Sequence, residues 1–120
     1  MIKKGFGFMV IFLFGIMASS TLEATPPKSV TLEYNSSSHV LTVTIEHKSP
    51  FPTKHYIKNV AIKKNGEMVA PHTYASQPDK TRFTYTYPVA AEKGDEIEVT
   101  AKCSLFGSKT EKIVVNPGKN

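Results

Sequence analysis

The chain has 120 residues, with 15 Lys and Arg against 10 Asp and Glu, a net charge of +5 and a single cysteine. That length supports one small domain, and its core must hold by packing alone, because a lone Cys103 closes no bridge within the chain. Arg82 is the only arginine and the lysines alternate with glutamates, so the charge reads as solubility and excludes a basic, aromatic-lined nucleic-acid surface.

In chain order, residues 1 to 24 place Lys3 and Lys4 ahead of an apolar run from Phe6 to Met17, followed by small and polar residues. This is the layout of a secretory signal peptide, and the run is shorter than the roughly 20 apolar residues of a membrane span. Cleavage is expected after Ala24, with Ser20 as the second choice. Removing residues 1 to 24 takes away two lysines and Glu23, leaving 96 residues at net +4. The chain is therefore expected to be exported, periplasmic or extracellular, with no membrane span after cleavage. Residues 25–29 read as a linker and 30–120 as the domain.

Within the domain, "VTLEYN" sets Val30, Leu32 and Tyr34 against Thr31 and Glu33, the period-2 pattern of a half-buried strand. After the turn "SSSH", "VLTVTIEH" puts Leu41, Val43 and Ile45 on one face, so residues 30 to 47 read as a hairpin. A strand from about Tyr56, the pair Asn65-Gly66 and a return strand from Glu67 predict a second hairpin, since Asn-Gly suits the positive φ of a tight turn. "TRFTYTYPV" stacks Phe83, Tyr85 and Tyr87 on one face, "EIEVTAKC" alternates Ile97, Val99, Ala101 and Cys103 with polar residues, and "SKTEKIVV" supplies the last strand. About seven short strands and no amphipathic helix predict an all-β, antiparallel, Ig-like β-sandwich.

Two stretches carry chemistry. "SPFPTKHYI" is the Pro-rich entry to the central hairpin, and "CSLFG" is the turn between the last two strands. In a sandwich both lie at strand ends, where they can meet. The span from Leu41 to Val115 resembles the ferrous-iron domain of superoxide reductases (desulfoferrodoxin and neelaredoxin), through Pro50, His55, Ile57, the "NGEMV" hairpin, Cys103 and Gly107. The resemblance implies an Fe(II) cofactor held by four His nitrogens in a plane and one Cys sulfur, with the sixth position open to superoxide. Ser49 stands where the first His of the motif belongs, Phe106 stands where the His three residues after the Cys belongs, and "TPPKSV" offers no counterpart for the N-terminal His.

By position, the candidate metal ligands are His55 and Cys103. His47, two residues before Ser49 and on the same face of a continuing strand, is the replacement candidate. His72, in the loop after the central hairpin, and His39, in the first turn, complete the histidines; in purely structural roles, each is a solvent-facing or hydrogen-bonded imidazole, His55 orients the entry loop, and Cys103 is a buried apolar thiol. A second resemblance, through "PTKHYI", "KNGEMV" and "KGDEIEV", is to the non-catalytic Z subunit of the periplasmic sulfur-oxidation carrier complex, and implies a protein partner. No nucleophile motif, phosphate-cradling loop or CxxC is present. The favoured expectation is an exported, desulfoferrodoxin-like sandwich with a degenerate iron site, acting as a non-catalytic binding or accessory protein of the cell envelope. The alternatives are a divergent superoxide reductase with a site rebuilt from His47, His55, His72 and Cys103, and a sulfur-carrier partner subunit.

Overall fold

A computed structural model describes residues 26 to 116; the expected signal peptide and its cleavage sites lie outside them. Seven strands follow one another as β1 (Ser29–Asn35), β2 (Val40–Glu46), β3 (Ile57–Lys64), β4 (Glu67–Thr73), β5 (Arg82–Pro88), β6 (Glu96–Cys103) and β7 (Ser108–Val114). They form two antiparallel sheets, ordered β1-β2-β5 and β4-β3-β6-β7. The described chain is thus an all-β sandwich without a helix, and no helix among the described residues is long and apolar enough to cross a membrane.

Alternation decides which faces meet. Leu41, Val43 and Ile45 of β2 are fully buried, as are Ile57, Val60 and Ile62 of β3 and Ile97, Val99 and Ala101 of β6, while Thr42, Thr44, Glu98 and Thr100 between them reach solvent in part. A side-chain period of two places each apolar set on one face, and the two faces close on each other. Each aliphatic side chain removed from water contributes about 1.5–3 kcal/mol against the chain entropy that folding costs.

The long edges close differently. On one side, Tyr74 stacks on Tyr85 at 4.4 Å and shares a 2.8 Å hydrogen bond with the hydroxyl of Tyr87, while His72 stacks on the Tyr87 ring at 4.4 Å. Burial, with Tyr74 alongside, pushes the Tyr85 phenol up to about 12 and that of Tyr87 higher still. Both hydroxyls therefore remain protonated hydrogen-bonding groups at neutral pH. On the other side, β7 exposes Lys109, Glu111 and Lys112, charges that discourage a further strand from pairing with the sheet edge.

The β3–β4 hairpin turns through Asn65 (φ 51°) and Gly66 (φ 84°), both in the left-handed region that Asn and Gly tolerate best. At the start of the described residues, Pro27 is buried, Lys28 N–H donates to the Glu46 carbonyl (2.7 Å) and Ser29 opens β1. Beyond β2 the chain stays paired for another three residues, with His47 N–H donating to the Thr81 carbonyl (2.9 Å) and Ser49 N–H to that of Lys80 (2.7 Å). At the same end of the sandwich β3 begins beside the end of β6, with Ile57 opposite Cys103. The Pro-rich entry and the last turn therefore meet.

Candidate metal centre

His47 reaches the site by simple continuation. It extends the buried series Leu41, Val43, Ile45 by one more inward position, so its imidazole enters the interior where the core gives way to the end loops, and it is 0% exposed. Its Nδ1 lies 2.8 Å from Oε1 of Gln77. The orientation of that amide is set by its other bonds. Gln77 Nε2 donates to the carbonyls of His47 and Asp79, both at 2.9 Å, while Oε1 accepts from the Ile57 N–H at 3.1 Å. An acceptor facing Nδ1 makes Nδ1 the protonated nitrogen and leaves the lone pair of His47 on Nε2.

His55 is held by the turn that follows Pro50. Its N–H and that of Lys54 both donate to the Phe51 carbonyl at 2.9 Å. Its own carbonyl accepts from the Ser49 hydroxyl, and Ser49 is 1% exposed. Ser49 thus fixes the His55 backbone rather than presenting a donor to the site. The Nε2 of His55 is buried, and the two imidazoles meet edge to face at 4.6 Å with planes 78° apart.

Cys103 closes β6, buried with the core residues two, four and six positions before it. The loop that follows is pinned at both ends. Cys103 N–H donates to the Gly107 carbonyl (2.9 Å) and Ser104 N–H to that of Tyr56 (2.8 Å), which ties the turn to the His55 segment. Leu105 N–H donates to the Cys103 sulfur at 3.4 Å. Gly107 sits at φ +88° with Pro26 packed against it, so close that an added Cβ would lie 2.5 Å from that of Pro26.

One ligand atom each from His47, His55 and Cys103 lies within 4.8 Å of the other two, all three residues being buried. The structure thus brings together the two residues picked out by motif position and the replacement picked out by strand parity. The rebuilt site that also used His72 is corrected: His72 lies on β4, opposite Val60 and against the Tyr87 ring, because a β4 residue facing β5 cannot also reach the end of β6. His39 occupies the β1–β2 turn at φ 58°, with Nδ1 3.2 Å from the Tyr34 hydroxyl. Phe106 is 63% exposed. Gln77 and the Leu105 N–H carry no signal in the sequence: a Gln in a polar loop beside a Pro is ordinarily exposed, and only its four hydrogen bonds explain why it is buried.

Above the histidines opens a pocket of about 770 Å³, with His47 and His55 at its floor, Pro26, Pro50, Phe51 and Leu105 forming apolar walls, and Lys28, Lys48 and Lys54 at its rim. Two imidazoles and a thiol are donors suited to a transition-metal ion. Bonds of about 2.0–2.3 Å at trigonal or tetrahedral angles set donors roughly 3.3–3.8 Å apart, so the cluster closes on an ion when its side chains move together by about an ångström. A five-ligand iron centre fits poorly, since the Ser49 hydroxyl is engaged by the His55 carbonyl, Phe106 has no lone pair, and neither His39 nor His72 joins the cluster.

The sequence matches no protein-family model and no curated protein. In structure the chain is similar to a superoxide reductase from Nanoarchaeum equitans, at 15% identity and a TM-score of 0.47 over 77% of this chain and 93% of that one. It is also similar to a superoxide reductase (neelaredoxin) from Ignicoccus hospitalis, at 14% identity and a TM-score of 0.44 over 75% of this chain and 82% of that one.

Proposed function

We propose that this protein is a metal-binding β-sandwich whose site is His47, His55 and Cys103, and that it serves as a non-catalytic binding or accessory protein outside the cytoplasm. The observation that carries the reading is the burial of three soft or borderline donors at one point, with Gln77 holding the tautomer of His47. A ligating imidazole works best when its other nitrogen is hydrogen-bonded, as the Nδ1 of His47 is. Three donors fall short of the five that the superoxide reductase resemblance implies for iron, so the reading is of binding and not of superoxide chemistry. Export rests on the charged, apolar and small-residue order of residues 1 to 24.

The test is a titration of the full chain, purified without metal and with its thiol reduced, with first-row divalent ions and Cu(I). One ion per chain is expected, and replacing His47, His55 or Cys103 singly should weaken it. Retention of no ion at all would end the reading. Superoxide-dependent oxidation of a bound Fe(II) centre at one iron per chain would replace it with the enzyme alternative.

A further inference from the structure

Resting on the reading of His47, His55 and Cys103 as a metal site, we infer that the ion this site selects is copper and not iron. Two imidazole nitrogens and one thiolate around a point are the donor set of copper centres, whereas Fe(II) in an oxygen- and nitrogen-rich octahedron needs ligands this end of the sandwich does not supply. Affinity for nitrogen and sulfur donors rises along the first-row series to a maximum at Cu(II), above Zn(II) and well above Fe(II). A thiolate with two imidazoles suits the softer Cu(I) as well.

The surroundings point the same way. Cys103 is 3% exposed, ends the inward-facing series Ile97, Val99 and Ala101 of β6, and receives one N–H from Leu105 at 3.4 Å. Low polarity and a hydrogen bond at the sulfur are the features that tune a copper–thiolate bond. Burial also keeps the thiol from pairing with a second chain, the usual fate of a lone cysteine meeting an oxidising metal. Gln77 fixes the ring orientation and tautomer of His47 within the fold, so part of the ordering cost of binding is met before any ion arrives.

The experiment is competition on the full chain. Cu(II), Zn(II) and Fe(II) are added singly and then together under anaerobic conditions, and Cu(I) is titrated against a chromophoric Cu(I) chelator so that oxidation of the thiol by Cu(II) leaves the measurement intact. One copper per chain is expected, retained against excess Zn(II) and Fe(II), with an intense visible sulfur-to-copper charge-transfer band for the Cu(II) form that Cys103→Ser abolishes. Should Cys103→Ser fail to fold, Gln77→Ala gives the second arm: it leaves all three ligands in place and should lower copper affinity by about 10- to 100-fold. Preferential retention of zinc or iron, or a band that survives Cys103→Ser, overturns the assignment to copper while leaving a metal site. Failure to bind any of the ions overturns both.

Discussion

Gln77 is the residue on which the site turns. Its amide makes four bonds, to His47 Nδ1, the Ile57 N–H and the carbonyls of His47 and Asp79, and so it joins the end of β2, the start of β3 and the loop before β5. Truncating it leaves buried groups from three segments without their partner, each costing about 1–3 kcal/mol when it cannot reach water. Gln77→Ala is therefore expected to lower the stability of the metal-free protein by more than about 2 kcal/mol, read by denaturant unfolding, and a loss below half of that would show that the amide network is dispensable. Ser49 follows the same logic. The sequence marks it as a missing ligand, but its buried hydroxyl holds the His55 carbonyl, so an imidazole in its place would break that bond instead of restoring a donor. Strand parity made the inward direction of His47 and Cys103 legible, because alternation says which way a strand residue points, while His55 and Cys103 as ligand candidates came from motif position. Gln77 was not legible, since nothing local distinguishes a loop Gln that is 4% exposed from one in water.

At the scale of elements, the seven strands and both hairpins follow from period-2 alternation and from Asn65-Gly66, signals that depend on a few neighbouring residues. Val99 lies fully buried in the middle of β6, between its partners Ile62 on β3 and Glu111 on β7. Val99→Ala removes apolar contacts from both sheets and leaves a cavity, and is expected to cost about 2–3 kcal/mol; an unchanged melting temperature would contradict the register of β6. Gly107 is a different case. The resemblance to the iron domains marked it only as a shared residue, while the structure gives its reason: a left-handed φ of +88° and a Pro26 side chain occupying the space of a Cβ. Gly107→Ala is expected to cost at least about 1–2 kcal/mol for the φ alone, with a further loss from displacing Pro26, and Pro26→Gly in the same chain should recover part of that loss. Failure of the second change to restore any stability would show that the Pro26 contact is not what constrains the turn.

For the whole molecule, the sandwich was predictable and the meeting of its ends was only allowed. Alternating faces require two layers, but bringing His55 beside Cys103 needs Ile57 to pair with Cys103 across 46 residues of chain, and bringing His47 there needs β2 to run on past Glu46 against Thr81 and Lys80. Neither pairing is written in a local pattern, because β-sheet register between distant strands is fixed by the packing of the complete core. An ion joining three such segments holds only the folded state, so binding adds to stability by mass action: at free metal about a hundredfold above Kd the gain is about 2.7 kcal/mol. For a domain of this size that corresponds to a rise in Tm on the order of 10–20 °C. A melting temperature that does not respond to metal would mean that the ion, if bound, sits on a surface the unfolded chain offers equally well.

The most direct measurement of the central claim is X-ray absorption at the edge of the metal in the loaded full chain, because it counts the atoms around the ion irrespective of what the protein does in the cell. Convergence of His47, His55 and Cys103 predicts a shell of two imidazole nitrogens at about 2.0 Å and one sulfur at about 2.3 Å, with the sulfur lost in Cys103→Ser. A shell of oxygen and nitrogen alone, unchanged by that substitution, would contradict it.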